Sequence, residues 1–320
     1  MAHGQLLVQN GNQISAFNFD GTIIKSNFIT VPGTTYLQGV AVGGGYIYVA
    51  DNSVGVVRQY NLDGSVAKNL LFHVQAPEGI VIEGTNVYVA QYGNGKVGNY
   101  AINGTTISAS LINAGVGCTG IAICETNVFV TTFSGVFKYG LNGAQDTNFV
   151  IIPPRPQISG IAINGTNLFV AFYGAGQVGE YAFDGSTKNA ALISGLNSPN
   201  GIAILNNVIY VSSDNGTVGA YDLDGTPINT NFISFGKTGS YFGLAFMPPL
   251  ILGGATVTPA SFSLNVNAIS NQVVVIEACT NLSASIWTPI QTNVTTSINA
   301  VLTDSTWTND RQRFYRVRAQ

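Results

Sequence analysis

GIAINGTNLFVAFYGAGQVGEYAFDGSTKNAALI, residues Gly160–Ile193, is four strand-length runs separated by turn signals. Gly160–Ile163 is apolar, and Leu168–Phe172 alternates around a Phe-Val pair. Gln177–Phe183 alternates again and ends on Asp184-Gly185, a dipeptide favoured in two-residue hairpin turns. Ser186–Ile193 is the last run. The period throughout is two, not 3.6, so the stretch predicts a four-stranded antiparallel sheet.

The pattern recurs along the chain. Full copies open at Gly39, Gly79, Gly120, Gly160 and Gly201, at spacings of 40, 41, 40 and 41 residues. Their third-to-fourth turns are Asp63-Gly64, Asn103-Gly104, Asn142-Gly143, Asp184-Gly185 and Asp224-Gly225, and Asp20-Gly21 adds a sixth. A type I′ turn, with positive φ at both central residues, is expected at each. Residues 5–30 form a copy without its first run, comprising Gln5–Gln9, Gln13–Phe19 and Thr22–Ile29. Gly243-Leu244-Ala245-Phe246 is a first run with nothing after it. A ring reconciles the two fragments. The expectation is an all-β fold, a six-bladed β-propeller of four-stranded blades whose first blade is closed by a C-terminal strand. Alternation sorts side chains between neighbouring blades: Val87 and Val89 face one way and Tyr88 the other. The fourth runs are expected at the rim, where Lys25, Lys68 and Lys188 discourage edge-to-edge pairing.

The pattern stops at Met247-Pro248-Pro249. The domain reading is therefore residues 1–249 as the propeller, 250–258 as a linker and 259–320 as a small β-sandwich. Five runs support the last: Ser261–Asn267, Gln272–Ala278, Trp287–Gln291, Ser297–Leu302 and Arg313–Arg318. Arg311, Arg313, Arg316 and Arg318 read as one arginine-bearing strand face.

Charged residues make up 8% of the chain, against roughly 25% in an average soluble domain. The net charge of −3 argues against a nucleic-acid partner, which calls for a basic face. No apolar run approaches the roughly 20 residues of a membrane span. Cys118, Cys124 and Cys279 are odd in number and poorly spaced for a metal, and read as small buried hydrophobes. There is no G-x-S-x-G, phosphate loop, H-E-x-x-H or EF-hand loop.

Gly39-Val40-Ala41-Val42, Ile47-Tyr48-Val49-Ala50-Asp51, Val57-Arg58-Gln59-Tyr60 and Gly64 resemble one NHL repeat, and Pro199-Asn200-Gly201-Ile202-Ala203 resembles its opening. The repeat's arginine is matched only at Arg58, and its aspartate only at Asp51 and Asp214, so the likeness is to a divergent member. It spans about residues 5–247 and implies a six-bladed ring; NHL rings include protein- and RNA-binding members. In the tail, Val274-Val275-Ile276-Glu277-Ala278, Thr280-Asn281-Leu282, Trp287-Thr288-Pro289 and Arg313–Arg318 resemble a C-terminal module of large secreted proteins from Verrucomicrobia-type bacteria. That resemblance implies export to the medium or the cell surface. Met1-Ala2-His3-Gly4 is then expected to stand in place of a natural leader.

In a propeller, loops into the first strand and out of the second share one face, around the mouth of the central channel. Gln38, Glu78, Thr119, Ser159, Asn200 and Phe242 precede the opening glycines and are expected to form an inner ring. Asp51, Asn52, Gln91, Tyr92, Thr132, Phe133, Phe172, Tyr173, Ser213 and Asp214 follow the second strands, and Tyr36 and Tyr241 lie on the same side. Of these, Gln38, Glu78, Thr119, Ser159, Asn200, Tyr92, Phe133 and Tyr173 are the candidate ligand-binding set. Aromatic platforms beside amides and hydroxyls suit a neutral, hydroxylated ligand such as a glycan. Other small molecules or a protein partner fit the same face.

No cofactor is expected, and catalysis is the alternative. Glu78, Asn200, Asp51 and Asp214 resemble the Glu, Asn and Asp set with which gluconolactonase-type propellers hold a divalent ion. Oxygen donors of this kind suit Ca²⁺ or Mg²⁺, which would polarise a carbonyl or activate water. His73 beside Glu78 would form an acid/base couple, resembling the streptogramin lyases, although their several histidines are missing. A structural cell-surface role is the remaining reading, since the fold alone implies no site.

Overall fold

The computed structural model describes residues 4–151, 157–236, 243–247, 251–258, 260–267, 273–281, 286–294, 299–309 and 312–319. His3, Tyr241, Phe242, Pro248, Pro249, Ser297, Asp310 and Arg311 lie outside the described residues.

Six four-stranded antiparallel sheets account for residues 5–247. One of them joins Gln5–Asn10, Gln13–Phe17 and Ile23–Thr30 to Leu244–Met247, with Gln5 opposite Met247 and Val8 opposite Leu244. The split copy is thus completed by the distant strand. The other five sheets run consecutively from the inner strands Leu37–Gly43, Pro77–Glu83, Ile121–Cys124, Ile158–Asn164 and Pro199–Leu205. Successive inner strands touch, and the last touches Leu244–Met247, which closes the ring.

The core lies between sheets rather than within them. Six clusters of buried residues each draw on two neighbouring sheets. Strand alternation divides the side chains as expected: Val87 and Val89 pack toward the preceding sheet, and Tyr88 toward the following one. Leu7 and the pair Leu6 and Val8 do the same on the split sheet. The result is a β-propeller, in which no sheet buries its apolar faces without both neighbours.

The opening glycines mark the tightest approach. A Cβ on Gly160 would lie 2.5 Å from the Asn200 carbonyl oxygen, on Gly120 2.7 Å from that of Ser159, and on Gly79 2.8 Å from that of Thr119. On Gly243 it would lie 2.6 Å from the Gln38 carbonyl oxygen, across the seam of the ring. Glycine recurs because inner strands converge on the axis and leave no room for a side chain.

The six Asx-Gly turns differ from expectation. In each, only the glycine has positive φ, from 83° to 96°. At the first, Gly21 N–H donates to the Asn18 carbonyl and Asn18 N–H to the Thr22 carbonyl. This is a type I turn closed by a glycine bulge, not a type I′ turn. The Asp20 carboxylate accepts from Thr22 N–H at 2.8 Å, and its equivalents Asp63, Asn103, Asn142, Asp184 and Asp224 make the same contact two residues on. That side-chain bond favours the type I geometry.

Outer strands are largely exposed, as at Ile23–Thr30, Thr106–Asn113 and Pro227–Ser234. Lys25, Lys68 and Lys188 lie on them.

In the C-terminal part, Ile251–Val257, Phe262–Asn267 and Asn299–Asp304 form one three-stranded sheet, and Thr288–Val294, Val273–Cys279 and Phe314–Ala319 a second. Leu264, Val266 and Leu302 of the first share a core with Val274 and Ile276 of the second. Residues 250–258, expected as a linker, thus contain a strand. The Gly253-Gly254 pair made it look like a loop but falls at a register shift in the pairing with Phe262–Asn267, where glycine marks a bulge. Arg313 and Arg316 do not form one free face. Arg313 meets Asp304 at 2.6 Å, and Arg316 meets Glu277 at 2.7 Å with its guanidinium 4.5 Å above the Trp287 ring. Cys118, Cys124 and Cys279 are unpaired; Cys118 and Cys279 are buried and Cys124 is half-buried.

Candidate functional site

The residues before the opening glycines converge at the axis. Gln38, Glu78, Thr119, Ser159 and Asn200 line a cavity of about 100 Å³ with the glycines that follow them and with Gly243. Phe242, expected in the same ring, is outside the described residues. Above this cavity a vestibule of about 390 Å³ is lined by Tyr36, Asn52, Tyr92, Phe133, Gln157 and Tyr173, and shares Glu78, Thr119, Ser159 and Asn200 with the cavity below. The eight candidate ligand-binding residues therefore all line one of two connected spaces.

Their hydrogen bonding sorts them into two kinds. Thr119 Oγ1 donates to the carbonyl of Ile158 at 3.0 Å or of Ser159 at 3.2 Å. Ser159 Oγ donates to the Pro199 carbonyl at 2.6 Å. These hydroxyls tie each inner strand to the next, so their protons are already committed. Gln38 and Asn200 are each 1% exposed, yet Gln38 Oε1 and Asn200 Oδ1 have no hydrogen-bond partner. Buried acceptors of this kind carry a cost unless a donor reaches them. Asn200 is oriented by its other end, where Nδ2 donates to the Asp214 carboxylate, which also accepts from Tyr173 Oη at 2.7 Å. This Asn200–Asp214–Tyr173 chain couples the inner ring to the aromatic fringe.

Glu78 is half-buried and lines both spaces. Burial pushes its carboxyl up to about 8, so much of it is protonated near neutrality. Tyr92 and Phe133 pack edge-on across the vestibule wall, 5.5 Å between ring centroids, and both stay over a third exposed. Three loops enter this face through non-glycine residues at positive φ, Ala76, Gln157 and Ser198. Each lies three residues before an opening glycine. Such backbone is disfavoured, and no local signal in the sequence announces it.

Other expected residues are placed elsewhere. Asp51 is fully buried, accepts from Thr34 Oγ1 and holds Arg58 at 2.7 Å. Its carboxylate is committed to the interior of its own sheet. Phe172 is fully buried between sheets, and Gln91 and Thr132 are buried as well. Ser213 borders a different surface groove, between the outer parts of the last two sheets. His73 is exposed on the outer strand Val66–His73, whereas Glu78 sits on the inner strand of the next sheet. The two are therefore not an acid/base couple: adjacency in sequence spans the whole return from rim to axis. The donor set also does not fit a metal centre. Asp51 is taken by Arg58, Asp214 by Asn200 and Tyr173, and among the described residues no three His, Cys, Asp or Glu side chains gather to hold an ion.

No family profile matches the chain, and no curated protein matches it. Solved structures do. A chain in a nidogen/laminin complex aligns with a TM-score of 0.64 at 17% identity, covering 76% of this chain and 98% of that one. A gluconolactonase from Xanthomonas campestris aligns at 0.54 and 14% identity, over 74% and 84% of the two chains. The virginiamycin B lyase of Staphylococcus aureus aligns at 0.51 and 16% identity, over 81% and 85%. At these identities the likeness establishes the β-propeller fold. No helix among the described residues is long and apolar enough to cross a membrane.

Proposed function

We propose that this chain is an exported, NHL-like propeller that acts as a binding module, with the channel-mouth face as its binding surface and the C-terminal two-sheet part serving attachment or sorting. The observation that carries this reading is the vestibule. Four aromatic side chains, Tyr36, Tyr92, Phe133 and Tyr173, surround a polar floor of amides, hydroxyls and one largely protonated carboxyl. Exposed ring faces beside such groups suit a ligand that is hydroxylated and uncharged over most of its body, a glycan above all. A metal-assisted lactonase or lyase reaction draws no support from the donor geometry.

A glycan array with the full chain tests the proposal, followed by titration of any hit against Tyr92→Ala and Phe133→Ala. Binding weakened about tenfold by either substitution, roughly the loss of one ring contact, is the expected result. Hits indifferent to both substitutions would move the site off this face. A silent array with an intact fold would count against the glycan.

A further inference from the structure

Beneath the vestibule lies a set of groups that a hydroxylated ligand body does not account for. Gln38 and Asn200 line the inner cavity, and their buried amide oxygens, Gln38 Oε1 and Asn200 Oδ1, have no hydrogen-bond partner among the described residues. Glu78 lines the same cavity, and no hydrogen bond or ion pair engages its carboxyl among the described residues. The neighbouring hydroxyls do not fill the need, because Thr119 and Ser159 donate to backbone carbonyls. No lysine, arginine or histidine lines either space among the described residues. Among the described residues the floor thus offers unmet acceptors and one ionisable acid, with no counter-charge. Its volume of about 100 Å³ holds about three waters, too little for a sugar ring but enough for a small polar head.

A primary ammonium meets these terms. It offers three donors and no acceptor, one for each of the three oxygens, and a positive charge that a carboxylate neutralises. The body that carries it sits in the vestibule, where the part-exposed rings of Tyr92 and Phe133 favour a cation in transit. We infer that the inner cavity is a recognition pocket for the primary ammonium tip of a ligand, bound by Gln38, Asn200 and Glu78. This rests on the binding-module reading and specifies the ligand as an uncharged body carrying one amine. The amine belongs to an amino sugar or to a lysine side chain.

Binding is then linked to the proton on Glu78. The empty pocket keeps that carboxyl protonated until about 8, and a bound ammonium favours its ionised form, so binding releases a proton. The groups around Glu78 leave this linkage with one main participant. Gln38, on the adjoining strand Leu37–Gly43, and Thr119, just before the strand Ile121–Cys124, flank it. Cys118, whose thiol burial pushes up to about 12, stays protonated. Tyr36 and Tyr92 share the vestibule, and Asp214 is held by Asn200 and Tyr173.

Calorimetric titration of the full chain with n-butylammonium, and with n-butanol as its uncharged counterpart, tests the inference. Expected are binding of the ammonium and not of the alcohol, roughly tenfold or greater tightening from about pH 6 to about pH 9, and proton release near pH 7. Glu78→Gln is expected to flatten the pH dependence, and Gln38→Leu to weaken binding at all pH values, with both variants retaining the native circular dichroism spectrum and a cooperative melt. Nα-acetyl-lysine methylamide and glucosamine, compared near pH 6, distinguish the two sources of the amine. Equal binding of ammonium and alcohol, or ammonium binding indifferent to both substitutions, overturns the inference. So does failure of every amine. If neutral glycans still bind the vestibule when amines do not, the binding-module reading stands and the pocket assignment falls.

Discussion

Three carboxylates show how position decides what an acidic residue does here. Asp51 and Asp304 are buried with their partners, whereas Glu78 is half-buried and has none among the described residues. Burial would raise the Asp304 carboxyl, but hydrogen bonds from Thr306, Tyr315 and Arg313 outweigh it and hold the group below its ordinary value. That stabilisation is present above about pH 4 and is lost as pH falls through the lowered value. Asp304→Asn leaves Arg313 without its counter-charge and is expected to cost the C-terminal part about 3–5 kcal/mol. Both tryptophans, Trp287 and Trp307, lie in that part, so tryptophan fluorescence during urea denaturation reads the loss directly. Glu78 has the opposite sign. Its value is raised from 4.5 to about 8 by burial. The folded chain therefore holds a proton that the unfolded chain has released, and stability falls as pH rises through that window. Glu78→Gln is expected to remove this slope and to stabilise the propeller near pH 8 by about 1–3 kcal/mol. Denaturation near pH 5 and near pH 8 checks it; an identical slope in both proteins would place the Glu78 proton outside the folding equilibrium.

Among the elements, the inner strand is the most constrained. Its glycine faces the next strand's carbonyl, so Gly160→Ala forces a methyl group to 2.5 Å from Asn200 O. The expected cost is about 1–3 kcal/mol. Gly254→Ala, with no atom within 4 Å of the added carbon, serves as a control in the same melting experiment and is expected to change little. The spacing of these glycines made the sheets legible in the sequence, and with them the ring of residues one position earlier. Gln38, Glu78, Thr119, Ser159 and Asn200 could be picked out because a repeat carries any position to the same place in every copy. What could not be read was the direction of a side chain once there. Asp51 is the last residue of its second strand and Asp214 lies one residue past the end of the corresponding strand Val208–Ser213, and one turns to Arg58 while the other turns to Asn200 and Tyr173. Those choices depend on partners in other strands. The turn type was missed for a local reason: Asp-Gly is compatible with both geometries, and the Asx side chain's own hydrogen bond selects between them. His73 was misplaced because sequence proximity says nothing about the width of a sheet. A tyrosine recurs in five third strands, as Tyr60, Tyr100, Tyr139, Tyr181 and Tyr221, and each is buried between neighbouring sheets.

At the scale of the whole molecule, the ring is held by the pairing of its two ends. Leu244–Met247 fills the inner position of the sheet begun at Gln5, and Ala245 and Met247 enter the cluster shared with the next sheet. Without that strand the Gln5–Asn10 edge is unpaired, and the clusters on both sides of the first sheet lose part of their apolar lining. Because each sheet is stabilised through its neighbours, the deficit is not confined to one blade, and the floor of the channel loses the Gly243 segment that closes it. A chain ending at Pro249 is therefore expected to fold with a sharp, single transition. A chain ending at Asn231 is expected to melt at lower temperature and over a broader range. Differential scanning calorimetry of the two separates the cases, and the decisive comparison is the width of the transition as much as its midpoint. Equal midpoints and equal widths would mean that the C-terminal strand is an ornament on an already closed ring, and the account of closure given by the Gln5–Met247 register would have to be abandoned.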